Sequence, residues 1–153
     1  MGIEKYVSEP RELVYTPEQV FEKLSNLKNL EQFISSDKID ELNKKGVDTK
    51  GFKLEDFAAT EDRCSFKISP VGKVGIEIVE REPHKTIKFQ GEKSVPFPVT
   101  FWVQLVPLPD NGCKMRLTLH ADLNPMIKMM VGSYLEKGIE KLADMLCEVE
   151  YEK

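Results

Sequence analysis

The chain has 153 residues, 41% of them apolar and 31% charged, and its 26 acidic and 22 basic side chains leave a net charge of −4. This is the size and make-up of one globular domain spanning 1–153 with a substantial core, not of a disordered or membrane-embedded chain. The charges are interspersed, with no basic stripe or aromatic-interleaved basic run, which argues against a nucleic-acid partner.

No apolar run in the first eleven residues resembles a signal peptide, and no later stretch approaches the length of a membrane span, so stable membrane insertion is not expected. Cys64, Cys113 and Cys147 are odd in number, far apart and without C-x-x-C spacing. They read as reduced, mostly buried thiols of a cytoplasmic protein, not as a disulfide framework or a zinc site.

In chain order, an extended segment over 6–15 comes first. A helix start follows: Thr16 caps, Pro17 suits the first helical position, and Gln19 completes a capping box, with Tyr15 and Val20 spaced as a hydrophobic staple. This helix carries Val20, Phe21 and Leu24 and ends near Ser25-Asn26. A second short helix places Leu27, Leu30, Phe33 and Ile34 at helical spacing, and a third candidate over 38–45 stops at Gly46.

From Phe52 the apolar period changes from about 3.6 to about 2. Strands are predicted over 52–59, 63–69, 73–81, 84–91, 97–107 and 113–122, separated by turns at Pro70-Val71-Gly72, Glu82-Pro83 and the strong hairpin signal Asp110-Asn111-Gly112. The alternation puts Phe66, Ile76, Phe89, Phe101, Val103, Met115, Leu117 and Leu119 on one face of an antiparallel sheet.

Asn124 then caps and Pro125 opens a final helix, predicted over 126–150 and about 37 Å long. At 100° per residue, Ile127, Val131, Tyr134, Leu135, Gly138, Leu142, Met145, Leu146 and Val149 form its apolar stripe. Sheet and helix each have a single apolar face, and burying one against the other is the economical solution. The expected fold is therefore α+β: a curved antiparallel sheet of about seven strands gripping a long C-terminal helix, with two or three short helices after the first strand.

This order resembles the START-like helix-grip superfamily, and looks like a bacterial member of its polyketide cyclase/dehydrase and lipid-transfer type. The resemblance spans essentially the whole chain. It is carried locally by Tyr15-Thr16-Pro17-Glu18-Gln19-Val20-Phe21, by Phe101-Trp102-Val103-Gln104-Leu105 and by Asp122-Leu123-Asn124-Pro125. It implies a cavity between sheet and C-terminal helix, lined by Phe66, Ile76, Phe89, Phe101, Val103, Met115, Leu117, Leu119, Met130, Tyr134 and Gly138. It also implies a small apolar ligand, such as a lipid, an isoprenoid or an aromatic polyketide-like molecule, and the lack of an inward nucleophile–base pair in the sequence makes binding without catalysis the expectation. A cyclase/dehydrase-type enzyme and a protein-interaction module with a filled groove are the alternatives. The segment over 35–51 is longer than a minimal member needs, and either covers the cavity mouth or extends the surface.

No constellation in the sequence assigns a catalytic residue, a metal ligand or a cofactor. His84 follows Pro83 in a turn and His120 is out of phase with Leu117 and Leu119, so both read as surface histidines, His120 close to Asp122. Ser65 and Ser69 have no inward base, Gly72-Lys73-Val74-Gly75 lacks phosphate-loop spacing, and Asp48, Asp56, Glu61 and Asp62 do not make a calcium loop. Met115, Met126, Met129, Met130 and Met145 suit either an adaptable ligand-lining surface or a plain core. Trp102 falls on the outer sheet face, half-covered by Lys88 and Arg116 or anchoring a dimer contact, in a protein expected to be a monomer or weak homodimer. Gly138, inside the apolar stripe, marks either a close approach of backbone to a strand or a gap belonging to the cavity.

Overall fold

The computed structural model describes residues 2–29, 54–68, 72–92, 97–147 and 151. The chain forms β1 (Gly2–Val7), β2 (Arg11–Leu13), α1 (Pro17–Leu24), a 3-10 turn (Leu27–Asn29), β3 (Leu54–Ala59), β4 (Arg63–Ile68), β5 (Gly72–Glu82), β6 (Thr86–Gly91), β7 (Val99–Pro107), β8 (Cys113–Leu123) and α2 (Pro125–Cys147). All described strands join one curved antiparallel sheet in the order β1-β8-β7-β6-β5-β4-β3, with β2 also paired to β8. The long helix lies across it, and Leu117, Leu119 and Leu142 share its core.

Local chemistry explains the elements. Thr16 Oγ1 accepts from the Gln19 N–H at 3.2 Å while Gln19 Oε1 accepts from the Thr16 N–H at 2.9 Å, so both partners of the capping box are in place. Asn124 Oδ1 accepts from the Ile127 N–H at 2.8 Å and starts α2. At the β7–β8 hairpin Asn111 adopts φ 70° and Asp110 Oδ1 accepts from the Gly112 N–H at 3.2 Å. A Cβ on Gly112 would come within 2.4 Å of the Leu13 carbonyl oxygen, so no larger residue fits that turn.

Two expectations need correction. The first extended segment is two strands, because Ser8 breaks it. Its N–H donates to the Leu117 carbonyl at 2.9 Å, and its Oγ accepts from the Leu117 N–H at 3.0 Å in place of a backbone carbonyl. The β5–β6 turn runs over 83–85, so β6 begins at Thr86; His84 sits at φ 64° and the Lys85 N–H donates to the Glu82 carbonyl at 3.0 Å. Of the second helix, a 3-10 turn is described; its continuation over 30–34, the third candidate over 38–45, the whole 35–51 segment and the end of the last helix over 148–150 lie outside the described residues.

Candidate functional site

The antiparallel register lines up rows of side chains across the concave face. Tyr6, Leu119, Phe101, Phe89 and Ile78 are successive cross-strand neighbours from β1 to β5. Leu117, Val103 and Ile87 form the next row, and Cys64 faces Ile76 further along. Helix α1 packs on β6 and β7, while α2 packs on β8, β1 and β2.

This division sorts the residues expected to line a cavity. Val103, Met115, Leu117 and Phe89 are buried in the packed core, as are Val20, Leu24 and Leu105. Phe66, Ile76, Phe101 and Leu119 face the same concavity, yet each keeps part of its surface accessible. From α2, Tyr134, Gly138 and Leu142 are likewise only partly covered. A Cβ built on Gly138 would have no atom within 4 Å, which removes the close-backbone explanation for this glycine.

Met130 does not join the group. It is 68% exposed, because it lies nine residues before the buried Ile139, about half a helical revolution away. Met126 and Met129 are exposed as well. The packed arc of α2 is Val131, Ile139, Ala143, Met145 and Leu146. Ile139 and Ala143 were absent from the predicted stripe, although their spacing of four marks them as one face.

α2 is tied to the sheet edge at two places on its circumference. Arg11 bridges Glu140 at 2.8 Å and Asp144 at 3.0 Å, Lys128 reaches Glu4 at 3.2 Å, and the Glu9 N–H donates to Glu140 Oε2 at 3.1 Å. Tyr134, Gly138 and Leu142 lie on the arc away from Glu140 and Asp144. The inward polar group that the sequence reading missed is Tyr6, whose phenolic oxygen lies 3.7 Å from where a Gly132 Cβ would stand. Its signal was alternation within β1: Tyr6 shares the inward phase with Glu4 and Ser8.

Burial raises the Tyr6 and Tyr134 phenols above their ordinary value. It also pushes the Cys64 thiol up to about 12 and the Cys113 thiol to about 11, leaving both as neutral, unreactive core groups. Tyr151 is raised too, by burial first; it donates to the Leu146 carbonyl at 2.6 Å and meets Tyr15 edge-on at 5.4 Å, closing the end of the core. His84 is exposed, edge-on to Phe21. On the convex face His120 packs against Trp102 at 4.6 Å, and Lys88 Nζ lies 5.8 Å from the indole centroid, so the indole is half-covered by its own neighbours. Among the described residues no three His, Cys, Asp or Glu side chains gather as a metal site, and no helix is long and apolar enough to cross a membrane.

Residues 6–147 match the protein family described as polyketide cyclase/dehydrase and lipid transport. Among solved structures the chain is similar to truncated norcoclaurine synthase from Thalictrum flavum, with TM-score 0.64 and 12% identity over 97% of this chain and 94% of that one. It is similar to a START superfamily protein from Mycobacterium smegmatis, with TM-score 0.59 and 12% identity over 94% and 93%. A Thermus thermophilus protein gives TM-score 0.60 and 19% identity over 95% of each chain. At these identities the likeness is one of fold. No curated protein sequence matches the chain.

Proposed function

The chain belongs to the polyketide cyclase/dehydrase and lipid transport family, and we propose that it binds a small apolar molecule between the concave sheet and α2 without transforming it. One observation carries this reading. Phe66, Ile76, Phe101 and Leu119 on the inner side of the sheet, and Tyr134, Gly138 and Leu142 on the helix, are each only partly buried, and a Cβ on Gly138 would meet no atom within 4 Å. Apolar side chains left partly accessible on the inner face of a fold favour an apolar occupant, since covering them removes about 25 cal/mol of unfavourable hydration per Å². A lipid, an isoprenoid or an aromatic polyketide-like molecule fits that chemistry.

Norcoclaurine synthase is an enzyme on a similar fold, so fold alone does not choose between carrier and catalyst. The lining favours the carrier. Its polar groups include the phenols of Tyr6 and Tyr134 and the Glu4–Lys128 pair at the sheet edge, and the Cys64 and Cys113 thiols are held neutral by burial, which supports binding over nucleophilic chemistry.

Native mass spectrometry of protein purified from its own host tests the proposal by looking for a retained apolar molecule. Titration with neutral N-phenyl-1-naphthylamine should in parallel saturate at one site. Absence of both a retained molecule and saturable probe binding would leave a filled interaction module. Conversion of the retained molecule into a product would make the protein an enzyme. Either result ends the carrier reading.

A further inference from the structure

The chain has four arginines, and three of them are held by carboxylates. Arg11 is bound by Glu140 and Asp144, Arg63 donates to Glu92 at 2.6 Å, and Arg81 donates to Asp62 at 2.6 Å. Arg116 differs. Its Nε and Nη2 both donate to the amide oxygen of Gln104, at 3.2 and 3.1 Å, and that oxygen accepts again from Thr118 Oγ1 at 3.4 Å. The guanidinium is thus fixed in direction by a neutral partner while its charge stays uncompensated. The Nε/Nη2 edge is occupied; the Nη1/Nη2 end remains a two-pronged donor of the kind that grips phosphate and carboxylate.

Arg116 is not isolated. Thr86, Gln104 and Arg116 are successive cross-strand neighbours on the convex face, and Val106 faces Lys114 in the adjoining row. With Lys85, Glu82, Pro10, Leu105 and Pro107 these residues line a groove of about 470 Å³. That volume falls within the roughly 300–1,000 Å³ of small-ligand sites. Among the described residues neither Lys85 nor Lys114 makes an ion pair. Three cations and one carboxylate leave the lining at +2, in a chain whose net charge is −4. A phosphate monoester carries about −1.5 to −2 at neutral pH, which matches that excess, and the proline and valine wall suits a compact organic group attached to it.

We infer that this convex groove binds a small, free phosphate monoester, with Arg116, Lys114 and Lys85 on the phosphate and Pro10, Val106 and Pro107 against the organic part. It lies on the opposite side of the sheet from the concave space, so it stands independently of what that space holds.

Trp102 is the sole tryptophan, on the same face two residues from Gln104 and cross-strand from Thr118, and so serves as a built-in reporter. The full chain is titrated with phenyl phosphate at fixed ionic strength, read by indole fluorescence and by amide shifts in a ¹⁵N–¹H spectrum. Saturable shifts at Thr86, Gln104, Val106, Lys114 and Arg116 are expected. Arg116→Gln and Lys114→Gln should each weaken binding about tenfold, while Lys137→Gln, an exposed cation on α2, should leave it unchanged. Phenyl phosphate should not displace N-phenyl-1-naphthylamine. The inference is overturned if shifts do not saturate, if Lys137→Gln weakens binding as much as the groove variants, or if phenol binds as well as phenyl phosphate. It is equally overturned if phosphatidylglycerol vesicles bind through these residues and phenyl phosphate does not. Two separate groove variants keep the result readable should one of them misfold.

Discussion

Gly138 offers the most direct probe of the space beneath α2. A glycine inside a helix costs about 1 kcal/mol relative to alanine, and here the added Cβ would meet no atom within 4 Å. Gly138→Ala should therefore recover that 1 kcal/mol without an opposing steric term, raising Tm by about 2–4 °C for a chain of this size. Gly138→Leu goes further. Its three additional carbons enter the same space, and burying them partly or fully adds up to about 1.5–3 kcal/mol, so Tm should hold or rise again. The same carbons exclude a ligand from the volume they fill. Losing two methylenes' worth of contact costs about 1.6 kcal/mol, or roughly fifteenfold in Kd for N-phenyl-1-naphthylamine. Gly132 supplies the control: its added Cβ would stand at ordinary contact distances, 3.5 Å from Lys128 and 3.7 Å from Tyr6, on the other flank. Gly132→Ala should stabilise α2 and change probe affinity less than Gly138→Leu does. Thermal melts and probe titrations of the three variants decide the matter. A Gly138→Leu protein destabilised by about 1–3 kcal/mol, as overpacking would make it, with unchanged probe affinity would refute the reasoning.

Ser8→Ala removes the only acceptor described for the Leu117 N–H in the middle of the buried core; the expected loss is about 1–3 kcal/mol in urea melts, and a loss near zero would mean β1 and β8 re-pair without the serine. The buried thiols predict a pH dependence: Cys64 and Cys113 titrate in the native chain at about 12 and about 11 instead of 9.0. The unfolded chain gives up these protons first, so their contribution is complete below about pH 8.5 and lost as pH rises from 9 towards 12, with a slope of up to about 1.4 kcal/mol per pH unit per thiol. Urea melts at pH 8, 9.5 and 10.5 should show this decline, and a Cys64→Ala/Cys113→Ala variant should lose that part of it; equal slopes in both proteins would sink the assignment.

How much of this was legible in the sequence depends on how local the determining chemistry is. The capping box at Thr16 and Gln19, the Asp110-Asn111-Gly112 turn and the alternation of Met115, Leu117, Leu119 and Ala121 are contained within a few residues, and each is present as read. The first strand was harder because its pattern is inverted. Ile3 and Val7 point outward, 63% and 50% exposed, while Glu4, Tyr6 and Ser8 face inward. There the inner face meets the charged flank of α2, where Lys128 takes Glu4, so the usual apolar-in rule gives the wrong face. The stripe of α2 was read as one apolar arc, but its burial is uneven: Val131, Ile139, Ala143, Met145 and Leu146 are buried, while Tyr134, Gly138 and Leu142 are only partly so. Periodicity gives the width of an apolar arc, not which part of it is filled, and Ile139, at the edge of that arc, was left out; Met130, assigned to the lining through the resemblance, lies off the arc altogether. The convex groove was invisible for a different reason: Lys85 and Arg116 are 31 positions apart in the sequence (116 minus 85) and meet through the β6–β7–β8 register.

The attachment of α2 bears on how the proposed concave site could stay open. Partly covered apolar side chains favour closer packing, and a roll of the helix about its axis would be the simplest way to bury more of Tyr134 and Leu142. Arg11 opposes that motion. It holds Glu140 and Asp144, one turn apart on the same flank, so rolling the helix in either direction lengthens both ion pairs together. Partly exposed ion pairs of this kind contribute only about 0–1 kcal/mol each to stability, but their effect here is on orientation. Asn124 fixes the start of the helix, Lys128 ties its first turns to Glu4, and Tyr151 seals the far end against Tyr15. Held by Asn124 at its start and by Arg11 and Lys128 along its length, α2 keeps one orientation on the sheet, which is what the proposed site needs if it is to take up an apolar molecule without rearranging.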